Sequence, residues 1–264
     1  MKIAIVTGAS SGMGRKFCEL LDKEGFDEIW GLGLGKEKME DVKAYLKTKF
    51  RYFDMDMTVP KNLSVYKNAL SEANPDVKWL VNASGFGKFG RYDEIGVETN
   101  MNMIDLNCKA LVFMTEATLP YMSSGARIVQ IASVAGFQPI PYIAVYGATK
   151  AFIISYSRAL NVELKSRQIS VTCVCPFWTK TAFFDRAKKI DKKTSSEVVT
   201  KYVVMYNAEK VVKKALRDAR RRKELSIYGF IARSQVRLVK SIPTKWTMGI
   251  WMKQQNLKEK YEGK

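Results

Sequence analysis

No histidine occurs among the 264 residues. Histidine is the side chain whose ordinary pKa lies nearest neutrality. Its absence excludes Ser-His-Asp and Cys-His catalysis and any histidine-containing zinc site. Acid–base work must therefore fall to Tyr, Lys, Asp, Glu or Cys. Cysteine is also sparse. Cys18, Cys108, Cys173 and Cys175 are scattered and read as reduced core residues. No metal site is expected. There is no run of about 18 apolar residues, so no membrane-spanning helix is expected. The N-terminal MKIAIVTGAS passes from a short apolar run straight into glycine and reads as a first strand, not a signal peptide, which points to the cytoplasm. Internal repeats, low-complexity tracts and a clear interdomain linker are absent too.

What is present alternates. Apolar runs at 2–6, 28–34, 49–53, 78–82, 126–132 and 169–175 read as strands. Between them, periodic segments at 15–24, 37–48, 60–73, 98–118 and 145–166 read as helices. Several strands are continuously apolar, as strands buried on both faces are. The pattern predicts an α/β chain, a doubly wound parallel sheet of Rossmann type forming a single domain over 1–264. Residues 182–206 are expected to form a lid over the substrate. A helical extension follows at 230–264.

The charge is lopsided. Lys and Arg number 44 against 26 Asp and Glu, a net +18. Residues 207–264 alone hold 16 Lys/Arg and five Asp/Glu. Two tail helices, 230–240 and 245–260, are expected on either side of Pro243. Trp246, Ile250, Trp251 and Leu257 fall largely on one side of the second. Such a tail suits a peripheral contact with an anionic membrane, a protein or oligomer contact, or plain solvated surface. No recognised nucleic-acid motif accompanies the charge, so nucleic acid is not expected.

Two constellations carry chemistry. The first strand runs into Gly8, Gly12 and Gly14 and then a helix. Glycines let the backbone approach a pyrophosphate, and the helix N-terminus offers N–H groups and a favourable dipole. The second is Ser133, with Tyr146 thirteen positions on and Lys150 four after that. Positions i and i+4 of a helix share a face. The ammonium is therefore expected to lower the pKa of the phenol and make it a usable proton donor and acceptor. Tyr45/Lys49 and Tyr206/Lys210 repeat the same spacing, so the pair alone is not diagnostic.

Taken together, these residues resemble the short-chain dehydrogenase/reductase family. TGASSGMG at 7–14 looks like its TGxxxGxG cofactor turn, and NASG at 82–85 like its NNAG segment, with Ala83 in place of the second Asn. Asn107 is similar to the family's helix asparagine. Ser133 and YxxxK at 146–150 match the catalytic serine and motif. PFWTKT at 176–181 resembles PGxxxT, with Phe177 in place of Gly. The resemblance covers residues 2–181. It implies hydride transfer between a nicotinamide cofactor and an alcohol or ketone carbon. By the resemblance, Tyr146 is the acid/base, Lys150 its modulator and ribose ligand, Ser133 the holder of the substrate oxygen, and Asn107 a proton-relay residue. It also implies a cofactor set of Gly8, Ser10, Ser11, Gly12, Met13 and Gly14; Asp56 and Met57; Asn82, Ala83 and Ser84; and Pro176, Thr179 and Thr181, joined by Tyr146 and Lys150. A homo-oligomer, dimer or tetramer, is implied as well.

Neither signature of cofactor choice is present: Gly33 stands where NAD users place Asp, and Leu34 where NADP users often place Arg. With that carboxylate missing and Arg15, Lys36, Ser10 and Ser11 nearby, NADP(H) is expected over NAD(H). Phe137, Tyr142, Phe177, Trp178 and Phe183 are the expected substrate wall. A pocket so lined suits a steroid, bile acid or long-chain carbonyl. The other readings are a non-catalytic dinucleotide sensor or scaffold, and an epimerase or dehydratase of the same family.

Overall fold

A computed structural model describes residues 1–189 and 198–257. Seven strands form one all-parallel sheet: β1 (Lys2–Thr7), β2 (Glu28–Gly33), β3 (Lys49–Asp54), β4 (Asp76–Asn82), β5 (Arg127–Ile131), β6 (Ser170–Val174) and, after two short strands, β9 (Leu225–Ser226). Their order is β3-β2-β1-β4-β5-β6-β9. The chain reverses its direction of travel between β1 and β4, and at such a switch point a crevice opens beyond the strand C-termini.

Strand alternation sorts the core into two layers. Ile3 and Ile5 of β1 face Leu63, Tyr66 and Leu70 of α3 (Pro60–Ala73) and Leu160 of α7 (Ala144–Glu163). Ala4 and Val6 face Phe17 and Leu21 of α1 (Gly12–Leu21) and Val212 and Leu216 of α9 (Ala208–Arg220). The sheet is thus covered on both faces, which explains the unbroken burial of β2 and β6. α2 (Lys36–Tyr45) follows β2.

Three segments differ from the sequence reading. The expected helix over 98–118 is α5 (Val97–Ile104), one π-helical turn at Asp105–Ala110, and α6 (Leu111–Thr118). A short α4 (Tyr92–Ile95) occupies the preceding loop. The expected lid holds α8 (Phe183–Lys188) and is bracketed by β7 (Thr179–Lys180) and β8 (Tyr206–Asn207), which pair in parallel. Its residues 190–197 lie outside the described residues.

The tail forms α10 (Phe230–Ser241) and α11 (Thr244–Gln254), separated by Pro243, and the end of the expected last helix lies outside the described residues. The four side chains read as one apolar side of that helix part company. Trp251 and Leu257 are buried, whereas Trp246 and Ile250 are exposed. Among the described residues no helix is long and apolar enough to cross a membrane.

Candidate active site

Of the three Tyr-x-x-x-Lys pairs, 146/150 shares a single helix; Lys49 lies in β3, and Tyr206 lies in β8 while Lys210 lies in α9. α7 places Tyr146 and Lys150 in its first two turns. The Lys150 ammonium lies 5.5 Å from the centre of the Tyr146 ring. β5 ends at Ile131, and Ser133 caps the short 3₁₀ turn Val134–Phe137 by accepting from the Ala135 N–H at 3.2 Å. Ser133 also donates to the Pro176 carbonyl at 3.4 Å, and its hydroxyl is near enough to the Tyr146 phenol to lower that phenol's pKa. Lys150 donates to the Ile131 carbonyl at 3.0 Å.

Asn107 sits in the π-helical turn, and its carboxamide makes a reciprocal pair with the backbone of Phe86. Oδ1 accepts from the Phe86 N–H at 3.0 Å, and Nδ2 donates to the Phe86 carbonyl at 2.8 Å. Nδ2 also reaches the Thr149 hydroxyl at 3.1 Å. Single π turns inside α-helices often mark functional positions. Here the extra residue carries Asn107 under the loop that follows β4. Gly85 of that loop passes so close that a Cβ there would meet Asn107 Oδ1 at 2.8 Å and Lys150 Nζ at 3.5 Å. The four residues read as catalytic therefore converge.

Electrostatics correct one expectation. Proximity to Lys150 does not lower the Tyr146 pKa in the protein without ligand. Burial pushes the phenol up to about 12, against a lowering by the Ser133 hydroxyl. Burial pushes the Lys150 ammonium down to about 8. Desolvation penalises the charged form of each group, so the pair rests near neutral pH with the phenol protonated and the amine close to its own titration.

Two hollows meet at these residues. One is a groove of about 440 Å³ along the strand C-termini, lined by Gly8, Ser10, Ser11, Gly12, Met13, Gly14, Asp56, Met57, Ala83, Ser84 and Thr181. Its floor is built for close approach. A Cβ on Gly14 would stand 2.1 Å from the Gly8 carbonyl oxygen, and Gly8 takes φ +67°. The first turn of α1 holds no acidic residue, leaving its N–H groups to an anion. Thr7 supplies support that the sequence reading passed over: its hydroxyl accepts from the Ala83 and Ser84 N–H groups, each at 3.0 Å. The groove fits a dinucleotide.

Other expected cofactor residues lie elsewhere. Asn82 is buried beneath the groove, donating to Thr115 and Gln130 at 3.0 Å. Pro176 and Thr179 line the second hollow. Lys36 is exposed at the start of α2, outside the groove lining. Arg15 is engaged with Glu19 at 3.1 Å and with the Tyr45 ring. Conversely, Lys88, Arg186 and Lys189 do line the groove. In the sequence they are ordinary basic residues of a loop and lid, and nothing there marks them.

The second hollow is a cavity of about 220 Å³ lined by Ser133, Tyr146 and Lys150 and by a largely apolar wall. Phe177, Trp178 and Phe183 line it as expected, but Phe137 and Tyr142 do not. Phe137 lies under the Lys240 ammonium, 4.8 Å from its ring centre, and Tyr142 lines a neighbouring groove. Their places are taken by Ile140 and Ile143 and by the tail, through Leu238, Val239, Ile242, Ile250, Trp251 and Gln254. The tail, read as a membrane contact, a partner contact or solvated surface, is thus partly a wall of the cavity. Met13, Ala83, Gly85, Thr181 and Phe183 line both hollows, so the groove opens into the cavity beside Tyr146. Among the described residues no cluster of metal-ligating side chains occurs.

Residues 2–192 match the family described as short chain dehydrogenase. An uncharacterised oxidoreductase of Staphylococcus epidermidis is 31% identical over 205 residues, 75% of this chain and 89% of that one. A very-long-chain 3-oxoacyl-CoA reductase of Danio rerio is 30% identical over 202 residues, 73% of this chain and 63% of that one. Among solved structures, a short-chain dehydrogenase from Sphingobium yanoikuyae in complex with NADPH superposes with a TM-score of 0.75 at 26% identity, covering 92% of this chain and 97% of that one.

Proposed function

The chain belongs to the short-chain dehydrogenase family and is an oxidoreductase, and from that premise we propose that it interconverts a neutral hydrophobic ketone and its alcohol, with NADP(H) preferred over NAD(H). The observation that carries the proposal is the junction of a dinucleotide-shaped groove with an apolar cavity at Ser133, Tyr146 and Lys150. A nicotinamide cofactor, when bound, supplies or accepts the hydride. The turn from Gly8 to Gly14 would hold its pyrophosphate, Asp56 and Met57 its adenine end, and Thr179 and Thr181 its carboxamide.

The remaining work falls to the chain's own residues. Tyr146 holds a proton at its phenol oxygen and gives it to the carbonyl oxygen of the ketone, or takes it back from the alcohol. Ser133, whose hydroxyl acts on that phenol, fixes where the substrate oxygen sits. Lys150 positions the cofactor ribose and replenishes the phenol proton, and Asn107 keeps the path to solvent open past Gly85. The apolar wall excludes water and orients the substrate.

The substrate class follows from the lining. Lys150 is the one charged residue among the described residues that line the cavity. Gln138, Gln235 and Gln254 offer neutral hydrogen-bonding groups there. A steroid-like or long-chain carbonyl compound meets both conditions, and the activity in the name of the Danio rerio relative is in keeping with a long apolar substrate. For NADP(H), the support is the absence of a carboxylate at Gly33 and Leu34. A homo-oligomer is part of the proposal, through the exposed Val97, Met101 and Phe152 on α5 and α7. So is a peripheral membrane contact of the tail, through Trp246 and Ile250 without Trp251.

The test is a panel of ketones and alcohols with both cofactors, followed at the nicotinamide absorbance. Turnover of apolar ketones that vanishes in Tyr146→Phe supports the proposal. A protein that binds NADPH but turns over nothing on the panel, or prefers charged small carbonyls, sinks it.

A further inference from the structure

The cavity mouth lies in the tail. Leu238 of α10 and Ile250 of α11 both line the cavity, yet are 53% and 54% exposed. They are therefore its rim, in contact with the interior on one side and with solvent on the other. One turn before Ile250 on α11 stands another large apolar side chain, Trp246, at 64% exposure. On α11 the exposed residues Trp246, Gly249, Ile250 and Lys253 recur at the spacing of one helix face. A cluster of exposed apolar side chains at one place marks an interaction site rather than ordinary surface.

The described residues of the tail carry charge of one sign. Residues 230–257 contain Arg233, Arg237, Lys240, Lys245 and Lys253 and not one Asp or Glu. None of the five makes an ion pair among the described residues. On the preceding helix, by contrast, Lys213 is paired with Glu209 and Lys214 with Asp218. Among the described residues this face is left with no counter-charge of its own. Apolar side chains of this size project among the cations, which suits a surface that is anionic at the headgroup and apolar just beneath, and Trp favours that boundary.

We infer that this face docks on an anionic lipid bilayer, so that the hydrophobic substrate passes between the membrane and the cavity at the Leu238–Ile250 rim without crossing water. The inference rests on the proposed ketone–alcohol activity for its second half only; docking stands on the tail alone. An apolar cavity opening into bulk water would expose its rim at a cost, whereas one opening onto acyl chains extends a single apolar phase. Nucleic acid offers the charge, but no recognised nucleic-acid motif accompanies the tail.

The experiment uses the full chain, with vesicles of phosphatidylcholine alone and with about a third phosphatidylserine. Wild type is expected to sediment with the anionic vesicles and not with the neutral ones. Arg237→Glu/Lys253→Glu is expected to weaken binding by at least about fivefold per charge removed, and Trp246→Ser to weaken it further. All variants should reduce a water-soluble ketone as wild type does, but should turn over a lipid-dissolved ketone more slowly.

Wild type left in the supernatant, or variants that sediment undiminished, overturns docking. Wild type that self-associates in light scattering, and loses this in Trp246→Ser, puts a second copy on the face and overturns it equally. Docking with equal rates on lipid-dissolved ketone in wild type and variants overturns substrate entry. A protein inactive on every ketone yet bound to anionic vesicles would sink the proposed activity and leave docking intact.

Discussion

A Cβ placed on Gly136 would stand 2.6 Å from both the carbonyl carbon and the carbonyl oxygen of Lys150. The 3₁₀ turn after Ser133 is thus packed backbone against backbone on α7, and this contact sets the distance between the serine and the Tyr146–Lys150 pair. Gly136→Ala is expected to push the turn away. Overpacking of this kind costs about 1–3 kcal/mol, readable as a lower urea midpoint. Because the displaced group is Ser133, kcat should fall more than tenfold at unchanged cofactor affinity.

Tyr146→Phe removes the transferable proton and leaves the ring in its packing against Phe183, whose centre is 5.5 Å away. The fold should be unperturbed and the cofactor should still quench tryptophan fluorescence on binding. The rate should drop on the order of 10²–10⁴-fold, the usual contribution of a positioned acid or base. A residual rate within tenfold of wild type would remove Tyr146 from the mechanism.

Lys150 makes the stability of the ligand-free protein depend on pH with a definite sign. Burial holds its folded pKa at about 8, against 10.5 when unperturbed. As the pH falls below 10.5 the unfolded chain takes up the proton first, while the folded chain takes it up only near 8. Stability therefore decreases as the pH falls through that window and changes no further below it. Between about pH 9.5 and pH 8 wild type is expected to lose about 2 kcal/mol, and Lys150→Met to lose none of it. Denaturant midpoints at the two pH values check this. An equal loss in both proteins would assign it to other groups.

The residues that converge at the candidate site were legible in the sequence because each belongs to a local pattern: glycines directly after a strand, Asn107 on one helix, Tyr146 and Lys150 one turn apart on another. The sheet was legible because apolar runs alternate with helical periodicity. What was not legible depends on contacts between distant segments. Nothing local to KWTMGIWMKQ tells that Trp251 turns inward while Ile250 turns outward; Pro141, 110 positions earlier, decides it. The π-helical turn at Asp105–Ala110 has no sequence mark either. The direction of the Tyr146 shift was missed because a neighbouring charge can be read from spacing and burial cannot.

Cofactor choice is open to two substitutions with different expected effects. Wild type is expected to show a lower KM for NADPH than for NADH. Lys36→Glu should narrow that gap by a few fold, in line with about 1 kcal/mol for an exposed charge contact. Arg186→Ala, which removes a cation lining the groove at the lid, should raise both KM values together, because it would meet a phosphate common to the two cofactors. An NADH preference in wild type would overturn the assignment.

Trp251 ties the tail to the wall of the cavity: its indole N–H donates to the Pro141 carbonyl at 3.0 Å, and its ring is buried among Ile140, Ile143 and Val199. Two substitutions separate these contributions. Trp251→Phe keeps most of the apolar volume and leaves the carbonyl without its donor, and should cost about 1–2 kcal/mol. Trp251→Ala opens a cavity as well and should cost about 3–5 kcal/mol. Since the same side chain lines the site, the alanine variant should also raise KM for an apolar ketone while leaving cofactor KM unchanged. If the tail were only solvated surface, neither stability nor KM would respond, so urea titration of the two variants beside their steady-state kinetics distinguishes a wall from an appendage.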